Sequence, residues 1–168
     1  MLEREELDRH KSSPEFVLEQ LAEYQERNAL DKEDELWLVI DRDRWTIKSI
    51  KSVAQRCAQN WAFSLALSNP CFELWLLLHL EDVAALPEEE KTRILKNKKE
   101  GHPDTYLKRK MRHLLGSYQE SNYDARSLMP YVNIAVERAN IMDVDKQARW
   151  PQKLGTRVYL LAQSIMRK

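Results

Sequence analysis

Glycine is nearly missing from this sequence, with three residues in 168, and proline contributes only six. A chain so poor in structure breakers is not a disordered linker, and a hydrophobic content of 43% suffices for the packed core of one domain, residues 1–168. Cysteine is scarce too. Cys57 and Cys71 lie in apolar surroundings without ligand-like spacing, so they read as reduced core residues of a cytoplasmic protein. Neither a disulfide framework nor a zinc site is implied. No long hydrophobic run occurs: residues 74–80 fall far short of the ~20 residues that span a bilayer. With no signal or lipidation motif in the sequence either, a soluble chain without membrane contact is expected. Internal repeats, low-complexity tracts and a serine or cysteine nucleophile paired with a base are also lacking.

Nor is there an excess of one charge, since 27 acids face 27 Lys and Arg. The charge is nevertheless segregated. Residues 1–35 carry 12 acids against 5 Lys and Arg, whereas residues 91–113 carry 9 Lys and Arg against 2 acids.

What the chain does have is concentrated in residues 36–80. Leu36-Trp37-Leu38-Val39-Ile40 has strand composition and stops at Asp41-Arg42-Asp43-Arg44. Side chains two apart in a strand share a face, so Asp41 and Asp43 point the same way if the strand persists. Two neighbouring carboxylates repel unless a cation or a shared proton intervenes. A hard divalent cation, Mg²⁺ above all with Mn²⁺ as its substitute, resolves that conflict. The plainer alternative is a solvated turn, where aspartate is common.

Thr46 caps a predicted helix whose apolar residues Ile47, Ile50, Val53, Ala54, Cys57 and Ala58 recur at spacings of three and four. A second apolar run, residues 61–67, stops at Ser68-Asn69-Pro70. Strand, helix, strand is a unit whose strands run parallel, so both runs end at one edge of the sheet, where open α/β folds build their sites. Asp41, Asp43, Ser68, Asn69 and Glu73 are thereby candidates for a common crevice. Glu73 is the sole acid in the run that follows, with Asn69 expected as helix cap and Pro70 in the first turn. It is either an acid complementing the helix dipole or a third metal ligand. His79 lies on another face and is expected in the core.

Elsewhere the sequence reads as a charged leader (1–13), a helix opened by Ser12-Ser13-Pro14, a helical hairpin (86–116) and C-terminal helices (130–168). Residues 143–151 are expected as a loop, and Gly155-Thr156 as the cap of the last helix. The hairpin is basic through Lys108, Arg109, Lys110 and Arg112. Such a surface either tracks a nucleic-acid backbone, DNA or RNA, or is an ordinary solvated face. The expected fold class is α/β: a small, mainly parallel sheet flanked by helices, with the hairpin as an insertion.

Residues 34–43, Asp-Glu-Leu-Trp-Leu-Val-Ile-Asp-Arg-Asp, and residues 65–79, Leu-Ala-Leu-Ser-Asn-Pro-Cys-Phe-Glu-Leu-Trp-Leu-Leu-Leu-His, resemble the two signature blocks of the RloB family. Weaker resemblance extends to Tyr106-Leu107-Lys108, residues 135–139 and Gly155-Thr156-Arg157-Val158-Tyr159. The resemblance implies a Toprim-like fold, in which a strand-end Asp-x-Asp and further acids bind Mg²⁺ for phosphodiester chemistry. It also implies a role in bacterial restriction and anti-phage defence, including abortive infection, beside a companion ATPase of the RloA type. On that basis the expected catalytic set is Asp41, Asp43, Glu73 and Lys108, with the three acids as metal ligands. Ser68, Asn69, Lys108, Arg109 and Arg112 are expected to bind substrate. One departure stands out: the family usually opens with an apolar strand and a Glu-Gly turn supplying a catalytic glutamate, and no apolar run precedes Phe16. Two expectations follow, a metal-dependent nuclease or a non-catalytic nucleic-acid- or protein-binding subunit that has lost that strand.

Overall fold

A computed structural model describes residues 13–167. The charged leader therefore lies outside the described residues apart from Ser13. The fold is α/β, with seven α-helices and one small mixed sheet of three strands among the described residues. None of these helices is long and apolar enough to cross a membrane.

The chain divides into two compact units, residues 13–40 with 44–65, and residues 41–43 with 66–167. In the first, helix α1 (Pro14–Arg27) starts where the Ser13 hydroxyl accepts the Phe16 N–H at 3.2 Å, with proline in the first turn where its missing N–H costs nothing. Strand β1 (Leu36–Asp41) follows, then α2 (Ile47–Gln59), which Thr46 caps by accepting the Ser49 N–H at 3.2 Å. Helices α1 and α2 pack together and bury Leu18, Ile50, Val53 and Ala54. Ile47 and Ala58, expected on that apolar face, are exposed.

Strand β2 (Phe63–Asn69) leads into the second unit and to α3 (Glu73–Leu80), whose residues from Glu73 to His79 are all buried. A helix covered on every side is the reason this run is apolar all round. It packs against α5 (Tyr106–Leu115) and α6 (Val132–Met142), and α6 packs in turn on α7 (Val158–Arg167). Helix α4 (Glu88–Lys96) and α5 form the expected hairpin.

Two sequence expectations are corrected here. Gly155-Thr156 is not a helix cap but a strand, β3, antiparallel to β2 with Ser68 opposite Thr156 and Asn69 opposite Gly155. The Ser68 and Thr156 hydroxyls meet at 2.7 Å, completing the pairing through side chains. Asn69 does not cap α3 either, because it remains in β2, and Phe72 takes the cap position. The strand order is β1-β2-β3.

Gly116 ends α5 in the left-handed region, φ 74°, and a Cβ there would meet nothing within 4 Å. Only backbone strain then opposes a side chain. Gly116→Ala is expected to cost about 1 kcal/mol in urea unfolding, and Gly116→Asn less, since asparagine tolerates this conformation. Equal losses would point to something other than φ.

Candidate functional site

The end of β1 belongs to the second unit. Successive N–H groups of a regular strand point in opposite directions. Here the consecutive Arg42 and Asp43 N–H groups bond Ser68 O (2.8 Å) and Pro70 O (3.1 Å), so the chain bends after Asp41. Strand alternation is thus not what relates Asp41 to Asp43. They are gathered by the turn between β2 and α3, whose Phe72 N–H donates to Asp41 Oδ1 at 2.9 Å. A carboxylate at that helix start is favourably placed.

Glu73 is the first residue of α3 and only 5% exposed, yet its Oε1 has no hydrogen-bond partner. The Cys71 thiol, two residues earlier, feels this carboxylate. Burial pushes that thiol pKa far up, and the charges of Glu73, Asp43 and Asp41 push it further. A thiol held in its neutral form is a poor nucleophile. Lys108 feels the Glu73 charge as well, and is raised above the ordinary lysine range first by its bond to Glu120 and further by Glu120 and Glu73 charge. Tyr118 and Tyr123, ring centres 5.5 Å apart, are raised by burial and then by Glu73, which places both phenols near this carboxylate. The cluster is therefore acidic, with one ammonium at its edge. Among the described residues no group of three or more His, Cys, Asp or Glu is disposed as a ready-made metal cage.

A family model described as RloB-like protein matches residues 2–165. The chain belongs to the RloB family. No curated protein and no solved structure matches it. In this RloB chain the two blocks that carry the resemblance are the end of β1 and the β2-to-α3 connection, the segments that gather the carboxylates.

The remaining sequence candidates fall into two groups. Ser68 is engaged with Thr156, and the Asn69 amide donates to the carbonyls of Pro151, Gln152 and Lys153, at 2.9 Å for the last. Both residues are buried, Ser68 tying β2 to β3 and Asn69 tying it to the segment before β3. The cations named on α5 are held in ion pairs. Arg109 pairs with Glu100, Arg112 with Asp104, and Lys110 with Glu81 and Glu90. Lys108 is the α5 cation that couples to Glu73, and it also pairs with the exposed Glu120. His79 sits in the core as expected, with Nδ1 at 2.9 Å from Trp75 O and burial lowering its pKa.

Sequence reasoning missed Asn97 and Glu120, and it treated Cys71 only as core. Asn97 follows α4 with φ 42°, a left-handed position where asparagine is a known helix terminator, which was the available signal. Glu120 lies in an irregular polar segment that offers none.

Proposed function

We propose that this RloB chain is a Mg²⁺-dependent nuclease that hydrolyses a phosphodiester bond of DNA or RNA, within a restriction-linked anti-phage system that includes an ATPase of the RloA type. The observation that carries the reading is the buried Glu73 carboxylate, with one oxygen unpartnered, among Asp41, Asp43 and Lys108. A buried acceptor left unpaired costs about 1–3 kcal/mol, a cost that a ligand removes.

The donor set suits Mg²⁺. This ion takes hard oxygen ligands and is usually held by one or two carboxylates, water and substrate phosphate rather than by an all-protein cage. Asp41, Asp43 and Glu73 would hold it, and when bound it supplies an activated water and charge neutralisation at the leaving oxygen. The chain's own groups do the rest. Lys108 binds a non-bridging phosphate oxygen as its negative charge develops, which requires Glu120 to release the ammonium. The Asp41 bond to Phe72 N–H fixes one carboxylate rigidly against the start of α3. Tyr118 and Tyr123 shield the Glu73 carboxylate from bulk water, strengthening every charge interaction inside. The Toprim-like, mainly parallel arrangement expected for the family is part of this proposal.

Cleavage of plasmid and total RNA in Mg²⁺ or Mn²⁺ tests it. Asp41→Asn and Asp43→Asn should each slow cleavage by about 100-fold, the usual size of losing one charge-stabilising group. Identical rates for all three proteins would remove the chemistry. A second reading, a binding subunit without catalysis, draws on the Asp41 oxygen already engaged by Phe72 and on the internally paired hairpin cations. Retention of nucleic acid without cleavage in the same assay would favour it.

A further inference from the structure

Asn97 joins three segments of the second unit. Its own N–H closes α4 on Arg93 O at 2.9 Å. Its Oδ1 accepts the Leu107 N–H at 2.9 Å, and its Nδ2 donates to Cys71 Sγ at 3.3 Å. The Leu107 N–H is one of the first-turn donors of α5, which find no partner within their own helix. Thr105, at the cap position, makes no side-chain bond, and its hydroxyl is buried without a partner. Asn97 therefore does from a distance what the cap residue does not. Leu107 immediately precedes Lys108, and Cys71 lies in the turn that ends at Glu73. One buried amide thus connects the backbone carrying the ammonium with the turn carrying the carboxylate.

We infer that Asn97 is a positioning residue, holding the start of α5 against the Cys71 turn so that Lys108 meets a phosphate beside Glu73. The inference rests on the proposed role of Lys108 in binding phosphate. Its test reads binding rather than cleavage: the affinity of a short fluorescein-labelled oligonucleotide, as DNA and as RNA, in EDTA at low salt. Lys108→Ala is expected to weaken binding about tenfold, the size of losing one charge-assisted hydrogen bond. Asn97→Gly keeps the left-handed backbone free of strain while removing both amide bonds, and is expected to weaken binding about three- to tenfold.

The deciding variant is the double. If Asn97 acts through Lys108, adding Asn97→Gly to Lys108→Ala weakens binding no further, whereas a merely structural residue would contribute its full factor again. Should Asn97→Gly fail to fold by circular dichroism, Cys71→Ala removes the Nδ2 acceptor, together with the thiol that feels Glu73, and serves in the same cycle. Multiplicative losses, unchanged affinity for Asn97→Gly or Lys108→Ala, or no binding by the intact chain would each overturn the inference. Coupling in this cycle with no cleavage in Mg²⁺ would leave the inference standing and remove the nuclease chemistry. Cleavage without coupling would do the reverse.

Discussion

Replacing Arg157 with methionine is expected to lower the unfolding free energy by about 3–5 kcal/mol, the usual consequence of removing one partner of a buried ion pair. The guanidinium grips Asp143 in fork geometry, Nε to Oδ2 at 2.9 Å and Nη2 to Oδ1 at 3.1 Å, with both residues buried. Its remaining donors go to the carbonyls of Ala148 (2.6 Å) and Asp145 (2.9 Å), so one side chain organises the irregular segment before β3. The Tyr159 hydroxyl completes the cluster by donating to Asp143 Oδ2 at 3.1 Å. Burial and then the Asp143 charge push that phenol up to about 12. Methionine would leave Asp143 with the tyrosine alone and free two carbonyls. The double replacement Arg157→Met with Asp143→Leu should recover much of the loss, because the uncompensated charge is the larger part of it. Urea unfolding followed by circular dichroism measures both. A loss below 1 kcal/mol for the single variant would mean that water compensates Asp143 and that the pair is not the clamp described.

That clamp marks where the sequence stopped being legible. Elements announced by local chemistry were readable: Ser13 and Thr46 before their helices, Gly116 after α5, and the apolar runs of β1, β2 and α3. β3 is two residues long, too short for alternation to show, and its identity comes from Ser68 and Leu67 far away in sequence. Strand alternation, expected to relate Asp41 to Asp43, does not do so, because the chain bends. A bend after Asp41 and a turn through Cys71 bring them close, and neither has periodicity. The basic hairpin shows the same limit from the other side. A local count gives a strong positive excess, while Glu81 and Glu90, outside that window, and Glu100 within it take up part of the charge in ion pairs. These half-buried pairs decide how much charge is left for a phosphate.

Glu73→Leu should move stability and function in opposite directions, and that opposition separates a functional acid from a structural one. Leucine is close in volume and removes a buried oxygen that has no partner, so the unfolding free energy is expected to rise by about 1–2 kcal/mol. For a chain of this length that is a rise of roughly 2–8 °C in the melting temperature. On the proposed reading, in which the same oxygen holds the ion, cleavage in Mg²⁺ should fall by about 1,000-fold, the upper range for removing one electrostatic stabiliser. A thermal melt and a cleavage time course on the same preparation make the comparison. If the variant instead melts lower, the thiol of Cys71 and the ammonium of Lys108 depend on Glu73 for the fold. The carboxylate is then a structural acceptor, and the nuclease reading loses the residue it was built on.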